Sequence, residues 1–590
     1  MVRSRHPRGR LHGLPAATTI VWLVIVAGFS GCMRKPGPAA EPAVTGGGSR
    51  PDAAGIAFDD IARASGLAHA HPPQPRPLTA LDAFGCGCGL FDQDDDGRLD
   101  VFFVADPHPL LFRGAADGSF HDVTAETGLA GLTGDHWTGC AVGDENGDGR
   151  LDLLVTGFHR LALLRLGGDG RYTDVTQARG LDPGNHGRWG TSAGFMDLDG
   201  DGDHDLVILN YVVFGPDVKR YCELVPGVIS GCPPREYEPE FGEVWRNDGD
   251  AGFTLVDPEV SGIAATSGIG LVLAFTDYDD DGRIDFYIGN DGTRAELMHN
   301  LGGMAFENVG ETSGVAASRD FDAMSAMGAD WADYDRDGRL DLAVSDFQKK
   351  GFALYHADGQ GLFLEVGTRT GLALATHSRL GFGTTWLDMD NDAFPDLCFA
   401  NGHVYDNVAA IEPGATFRQP VSLFRNLAGR RFVDVVPALA AAVARPLVGR
   451  GSATGDVDND GRLDLLVVDY EGPPMLLANR SRTGHHWIEL ELRAALPNRF
   501  AYGARAVGRL GDAVWVGEVT PTSSYLSSSD PRIHWGLGAA SRLDALEIRW
   551  PSGRRETFHD VAADAILRIE EGSGPPRRLE VAVRPADTAP

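Results

Sequence analysis

An acidic nonapeptide, Asp-x-Asp-x-Asp-Gly-x-x-Asp in its commonest form, recurs seven times, beginning at Asp92, Asp144, Asp197, Asp277, Asp333, Asp388 and Asp456. Such a repeat constrains the fold more than any local pattern, because one unit cannot bury its apolar face alone and must stack on its neighbours. A second motif travels with the first. An aromatic residue opens a segment 24 to 34 residues before each loop, at Phe58, Phe120, Tyr172, Phe253, Phe306, Phe363 and Phe432. A third element, an Asn closing an apolar pair before a Gly-containing turn, stands at Asn247, Asn300 and Asn426 and suits a hairpin. Each unit therefore reads as an aromatic strand, a Gly-rich inner strand, the acidic loop, an apolar strand such as Leu-Asp-Leu-Leu-Val, and a closing strand. Four strands per unit and seven units predict an all-β fold, a seven-bladed β-propeller over residues 56–480.

The acidic loops have a chemical logic. Alternate carboxylates on a tight turn converge on one point, and a hard cation wants oxygen donors. Positions one, three, five and nine offer side chains, position seven a carbonyl, and the Gly permits the bend. The expected ligands are Asp92, Asp94, Asp96 and Asp100, with the Arg98 carbonyl, in the first loop; Asp144, Asn146, Asp148 and Asp152 in the second; and Asp197, Asp199, Asp201 and Asp205 in the third. The fourth supplies Asp277, Asp279, Asp281 and Asp285, the fifth Asp333, Asp335, Asp337 and Asp341, the sixth Asp388, Asp390, Asp392 and Asp396, and the seventh Asp456, Asp458, Asp460 and Asp464. The expected cofactor is Ca²⁺, up to seven ions, with the sixth site weakest because Ala393 replaces the Gly and Pro395 enters the turn. An EF-hand is excluded: its loop ends in a bidentate Glu at position twelve, where this chain has Phe103, Val155, Ile208, Ile288, Val344, Phe399 and Val467.

These loops and their spacing, from Phe58 to about Asn479, resemble the FG-GAP/VCBS repeats of integrin α-subunit propellers and of many secreted bacterial proteins. After them come NRFAYGARA, SSYLSSS, HWGLG at His534 to Gly538 and WPSG at Trp550 to Gly553, which look like the ASPIC/UnbV domain. That order, with NGHVY at Asn401 to Tyr405, is similar to the cartilage acidic protein family. The resemblance is specific for family and not for activity. Read without it, the alternation in WIELELR, VWVGEV and LEIRW predicts a small β-sandwich-like domain over 486–572, with Trp535 and Trp550 in its core and residues 573–590 as a disordered tail.

At the front, Arg3, Arg5, Arg8 and Arg10 precede an apolar run from Ile20 to Phe29 that ends at Cys32. This resembles a signal peptide with a bacterial lipobox over 1–32, which makes Cys32 the lipidated residue, followed by a Pro- and Gly-rich tether over 33–55. The expectation is an exported protein held on the outer membrane, at the cell surface or in the periplasm, through its N-terminal lipid. In such an oxidising compartment Cys222 and Cys232, ten apart in a Pro-rich insertion, are expected to form a disulfide. Cys86, Cys88 and Cys140 read as buried thiols, with a redox or metal role as the alternative. A formal charge of −31 repels nucleic acid.

For function, the leading expectation is a Ca²⁺-rigidified binding or adhesion scaffold with a protein or glycan partner and no catalytic residues. The alternative is a polysaccharide-active, lyase-like enzyme using the channel, where His136, Trp137, His186, Arg188, Trp189, Arg379 and Arg450 draw attention. A third reading is an accessory factor for assembly or electron transfer.

Overall fold

The computed structural model describes residue 53 and residues 55–580. Cys32, the apolar run before it and nearly all of the tether lie outside the described residues. No helix among the described residues is long and apolar enough to cross a membrane.

Seven four-stranded antiparallel units form a β-propeller. In the first blade the innermost strand is Cys88–Phe91, followed by Asp100–Phe103, Leu110–Gly114 and the outermost Phe120–Asp122. Each acidic loop joins an innermost strand to the second. The second strands are short apolar runs buried on both faces, as in Asp152–Gly157, and so need no alternation. The outermost strands expose one face to water, and there the aromatic residue alone is buried: Phe120 packs inward while His121 and Asp122 are exposed.

The blades are offset by one strand from the units visible in the sequence. The aromatic strand that opens each sequence unit is the outer edge of the preceding blade. Phe58–Asp60, which precedes the first blade, therefore pairs with Met475–Asn479 and completes the seventh. The ring closes through this exchange of chain ends, which leaves no open strand edge between first and last blades.

The C-terminal domain is two four-stranded sheets. One contains Ile533–Gly538, His486–Arg493, Ala565–Glu570 and Arg577–Arg578, and the other Ala513–Glu518, Arg505–Leu510, Arg542–Arg549 and Arg555–Ala562. Trp515, Trp535 and Trp550 are buried in one cluster with Ile488, Leu546 and Ile548. The edge strand Arg577–Arg578 pairs with Leu567 and Arg568, so the domain runs beyond the boundary at 572 drawn from the sequence. Propeller and C-terminal domain belong to one compact unit.

Candidate functional site: the acidic loop face and the plugged channel

The seven loops share one hydrogen-bond frame. The backbone N–H of position six donates to the first Asp at 2.6–3.0 Å in every loop. The ninth Asp accepts, also in every loop, an N–H from the third strand at 2.6–2.8 Å. Positions one and nine are thereby held inward. The sixth loop keeps this frame even though Ala393 stands at φ +82°, in the left-handed region.

The frame concentrates carboxylates where water is scarce. Burial, with neighbouring carboxylates adding to it, pushes Asp100 up to about 7, Asp152 and Asp205 to about 8 and Asp285 to about 9. Asp388, Asp396, Asp456 and Asp464 lie well above the ordinary carboxylate range for the same reasons. Several oxygens that face these clusters, Asp285 Oδ2, Asp335 Oδ1 and Asp458 Oδ1, are buried without a hydrogen-bond partner. Donor groups drawn from several of the loops lie within 4.8 Å of one another, as in Asp92, Asp94 and Asp96 or Asp197, Asp199 and Asp205. A divalent cation fits this donor set, since it would favour the charged forms that burial disfavours. The loops also contain their own partial counter-ions: Arg98, Arg150, Arg283, Arg339 and Arg462, at position seven, fold back onto the Asp at position five.

The Asn residues do more than end hairpins. Asn300 Nδ2 donates at 2.9 Å to the carbonyl of Ile284 in its own loop and at 2.9 Å to that of Leu198 in the loop of the preceding blade. Asn247 spans the second and third loops and Asn426 the fifth and sixth in the same way, and Asn479 donates to Met389 of the sixth loop. The side chain clamps adjacent acidic loops together, a role that a single unit of sequence cannot display.

The C-terminal domain lies on this loop face and touches all seven loops. Arg493 reaches Asp95 at 2.6 Å, Pro497 packs on Gly147, and Asn498 meets His204 at 3.0 Å. Arg549 pairs with Asp277 and, at 3.1 Å, with Asp280, while Trp515 lies 4.0 Å beneath the Arg336 guanidinium. Gly538 N–H donates to Asn391 O at 2.8 Å, and His534 Nε2 lies 3.0 Å from Gly461 O. Burial lowers His534 to about 4, so its role here is docking as a neutral ring.

From this domain a hairpin, Thr522–Ser523 turning into Ser527–Ser528, enters the propeller's axis and adds a parallel strand to Cys88–Phe91. It satisfies groups on several blades. Cys140 N–H donates to Leu526 O at 3.1 Å, Cys88 N–H to Ser527 Oγ at 3.1 Å, Thr384 N–H to Ser524 Oγ at 3.1 Å, and Ser524 N–H to Ala329 O at 2.8 Å. Ser524 and Leu526, at φ +67° and +57°, hold the tight tip. The hairpin thus fills the channel on this side.

Of the conspicuous residues near the axis, Trp137, Trp189 and Arg450 are structural, whereas His186 is exposed and His136, Arg188 and Arg379 are partly so. Trp137 and Trp189 are buried. Arg450 is fully buried, donates to the carbonyls of Ala83, Phe84 and Gly449 at 2.6, 3.1 and 2.8 Å, and stacks 4.0 Å over Phe382. Cys86, Cys88 and Cys140 are buried free thiols, and burial pushes Cys88 up to about 12, the opposite of what a reactive thiolate needs.

At the other mouth of the axis a cavity of about 460 Å³ has Tyr525 of the plug, Phe84 and Phe382 among its walls. The insertion after Tyr211 contributes Pro234 and Arg235 to its rim, next to Cys232, which is joined to Cys222. Asp291 in its wall accepts from the Tyr211 hydroxyl at 2.7 Å.

A family model for the FG-GAP-like repeat matches residues 92–155, 144–208, 277–344 and 333–399, and one for ASPIC and UnbV matches residues 495–576. The chain carries FG-GAP-like repeats and an ASPIC/UnbV domain. Each FG-GAP window begins on the first Asp of a loop and ends in the second strand of a following blade. Cartilage acidic protein 1 of mouse is 24% identical over 410 residues, 68% of this chain and 56% of that protein, and its human counterpart is 23% identical over 398 residues, 65% of this chain and 53% of that protein. The chain thus spans about half the length of these curated relatives. Among solved structures, an Agrocybe aegerita lectin specific for non-reducing terminal N-acetylglucosamine is 17% identical with a TM-score of 0.35, over 58% of this chain and 77% of the lectin. A rhamnogalacturonan lyase of Bacillus licheniformis is 14% identical with a TM-score of 0.35, over 72% of this chain and 75% of the lyase.

Proposed function

We propose that this chain is an exported, membrane-anchored scaffold in which Ca²⁺ on the FG-GAP loops rigidifies the propeller and the mouth opposite the ASPIC/UnbV domain binds a protein or glycan. The observation that carries the reading is the division of labour between the two faces. One face gathers all seven acidic loops, with buried carboxylates in need of a cation, beneath a domain that contacts each of them. The other presents a cavity with aromatic walls and a few polar groups, the usual character of a ligand site. The carboxylate and carbonyl oxygens of the loops suit Ca²⁺, which takes six to eight carboxylate, carbonyl and water ligands. Aromatic walls beside hydroxyl and carboxylate groups support a glycan partner, since a sugar ring presents an apolar face and a polar edge.

The test is a glycan panel probed with the intact chain in Ca²⁺, run beside an assay for unsaturated products on uronate polymers. Tyr405 lines the cavity, and binding lost in Tyr405→Ala, without product formation, supports the scaffold. Turnover would replace it with the enzyme reading, and absence of glycan binding would move the partner to a protein.

A further inference from the structure

One third-strand position sets two of the seven loops apart from the rest. The third-strand residue just before the one whose N–H caps the ninth Asp is Arg113, Arg165, Arg246 and Arg425 in blades one, two, three and six, and Ala478 in blade seven. Blades four and five have His299 and His356. The arginines act as local counter-ions: Arg113 reaches Asp94 at 3.1 Å, Arg165 pairs with Glu145, Arg246 with Asp248 and Arg425 with Asp390. A guanidinium neutralises but cannot ligate a metal. An imidazole can do both.

The histidines are placed as ligands. His299 Nδ1 lies 3.3 Å from Asp285 Oδ1 and 3.6 Å from Asp279 Oδ2. His356 Nδ1 lies 3.2 Å from Asp341 Oδ1 and 3.4 Å from Asp335 Oδ2. Donor atoms of Asp279, Asp281 and His299, and those of Asp335, Asp337 and His356, lie within 4.8 Å of one another, a spacing that one ion can bridge. A second observation is specific to blade four. In the other six loops the second Oδ of the ninth Asp accepts the N–H of position two, at 2.8–3.2 Å. Asp285 is fully buried, yet its Oδ2 has no partner and its carboxylate converges with Asp277 and Asp279. A third observation concerns orientation. Only these two loops have Tyr at position two, Tyr278 and Tyr334, and each ring stands edge-on to its histidine, at 5.8 Å and 82° for His299 and 6.1 Å and 81° for His356. The pairing of Tyr and His in the same two repeats makes a built site out of two neighbouring substitutions.

Ca²⁺ takes oxygen ligands, whereas imidazole suits first-row transition dications and Zn²⁺. Exchanging the Arg for an imidazole also removes a competing positive charge from the loop. We propose that the fourth and fifth loops are mixed nitrogen–oxygen sites, His299 with Asp279, Asp281 and Asp285 and His356 with Asp335, Asp337 and Asp341, selective for a Zn²⁺-class dication over Ca²⁺. This rests on the reading of the acidic loops as cation sites, and it adds a division among them.

Co²⁺ is the probe, added to the intact chain in excess Ca²⁺, with bound ions counted by elemental analysis and the visible ligand-field bands recorded. The expected result is one Co²⁺ retained per His-bearing loop, with bands lost in the His299→Arg/His356→Arg protein, which restores the residue found in the other blades and should keep its melting temperature in Ca²⁺. A His299→Gln/His356→Gln pair checks that any loss follows the imidazole and not added charge. Displacement of all Co²⁺ by Ca²⁺, or retention in both double variants, overturns the inference and leaves the histidines as counter-ions. Co²⁺ retained in a protein that binds no Ca²⁺ would uphold these two sites while removing the Ca²⁺ reading.

Discussion

Replacing Gly87 by Ala probes whether the ASPIC/UnbV hairpin holds the ring together. Gly87 does not have positive φ, so Ala meets no backbone penalty, and the effect is steric alone. The new Cβ would fall 1.7 Å from Leu526 O and 2.5 Å from its carbonyl carbon. The hairpin must retreat by roughly 2 Å to reach ordinary contact distance. That movement breaks the 3.1 Å bonds from Cys140 N–H to Leu526 O and from Cys88 N–H to Ser527 Oγ. Both donors sit on buried inner strands, and each buried donor left unpaired costs about 1–3 kcal/mol, so the loss is about 2–6 kcal/mol. The assay is urea unfolding in Ca²⁺ together with limited proteolysis mapped across residues 520–530, with Gly131→Ala, whose Cβ meets nothing within 4 Å, as control. The expected outcome is a lower midpoint and new cleavage in the hairpin for Gly87→Ala only. Equal midpoints and equal protection in the two variants would refute the plug.

Asn300→Ala should destabilise by about 1–3 kcal/mol, because the carbonyls of Ile284 and Leu198 lose their shared donor, and it should weaken cation binding in the third and fourth loops together; calorimetry on the variant checks both. Arg450→Met leaves several buried carbonyls without a donor and should cost about 3 kcal/mol or more, read as a fall in melting temperature. The pH dependence without metal has a definite sign. Asp152, Asp205 and Asp285 titrate near 8, 8 and 9 in the folded protein against an ordinary value of 3.8, so the folded state binds more protons across that window, and stability falls as pH rises from about 4 to about 9. Bound Ca²⁺ should flatten or reverse that slope, as followed by thermal unfolding at pH 5 and pH 8 with and without chelator.

The repeat made the ring legible because Asp, Gly and the aromatic anchors recur at positions each blade needs. Chain closure was hidden, since a repeat shows its period but not where one blade ends: Phe58 looks like every other anchor and is unlike them only in pairing with Asn479. Asn300 and its equivalents read as turn residues because their partners lie on a different unit of the sequence. The segment Ser523 to Ser529 was the least legible. Its hydroxyls suggest a solvated loop, whereas Tyr525 and Leu526 are almost wholly buried and Ser524 and Ser527 pair with inner strands 140 and 439 residues away. Composition reports polarity, not whether polar groups are satisfied by water or by protein. The histidines of blades four and five are hidden in the sequence for a related reason, because they lie outside the nonapeptide and reach it only through strand pairing.

The most direct test of the Ca²⁺-held propeller is ion counting by calorimetry, paired with thermal unfolding of the chain from Asp52 onward in excess Ca²⁺ and in chelator. At about 100 times Kd each independent site adds about 2.7 kcal/mol to the folded state, so occupancy of several loops should raise the unfolding temperature sharply. The expected result is five to seven Ca²⁺ per chain with a large upward shift, five if the two His-bearing loops prefer another metal. No bound ion and no shift would contradict the account and leave the loops as turns held by their own backbone.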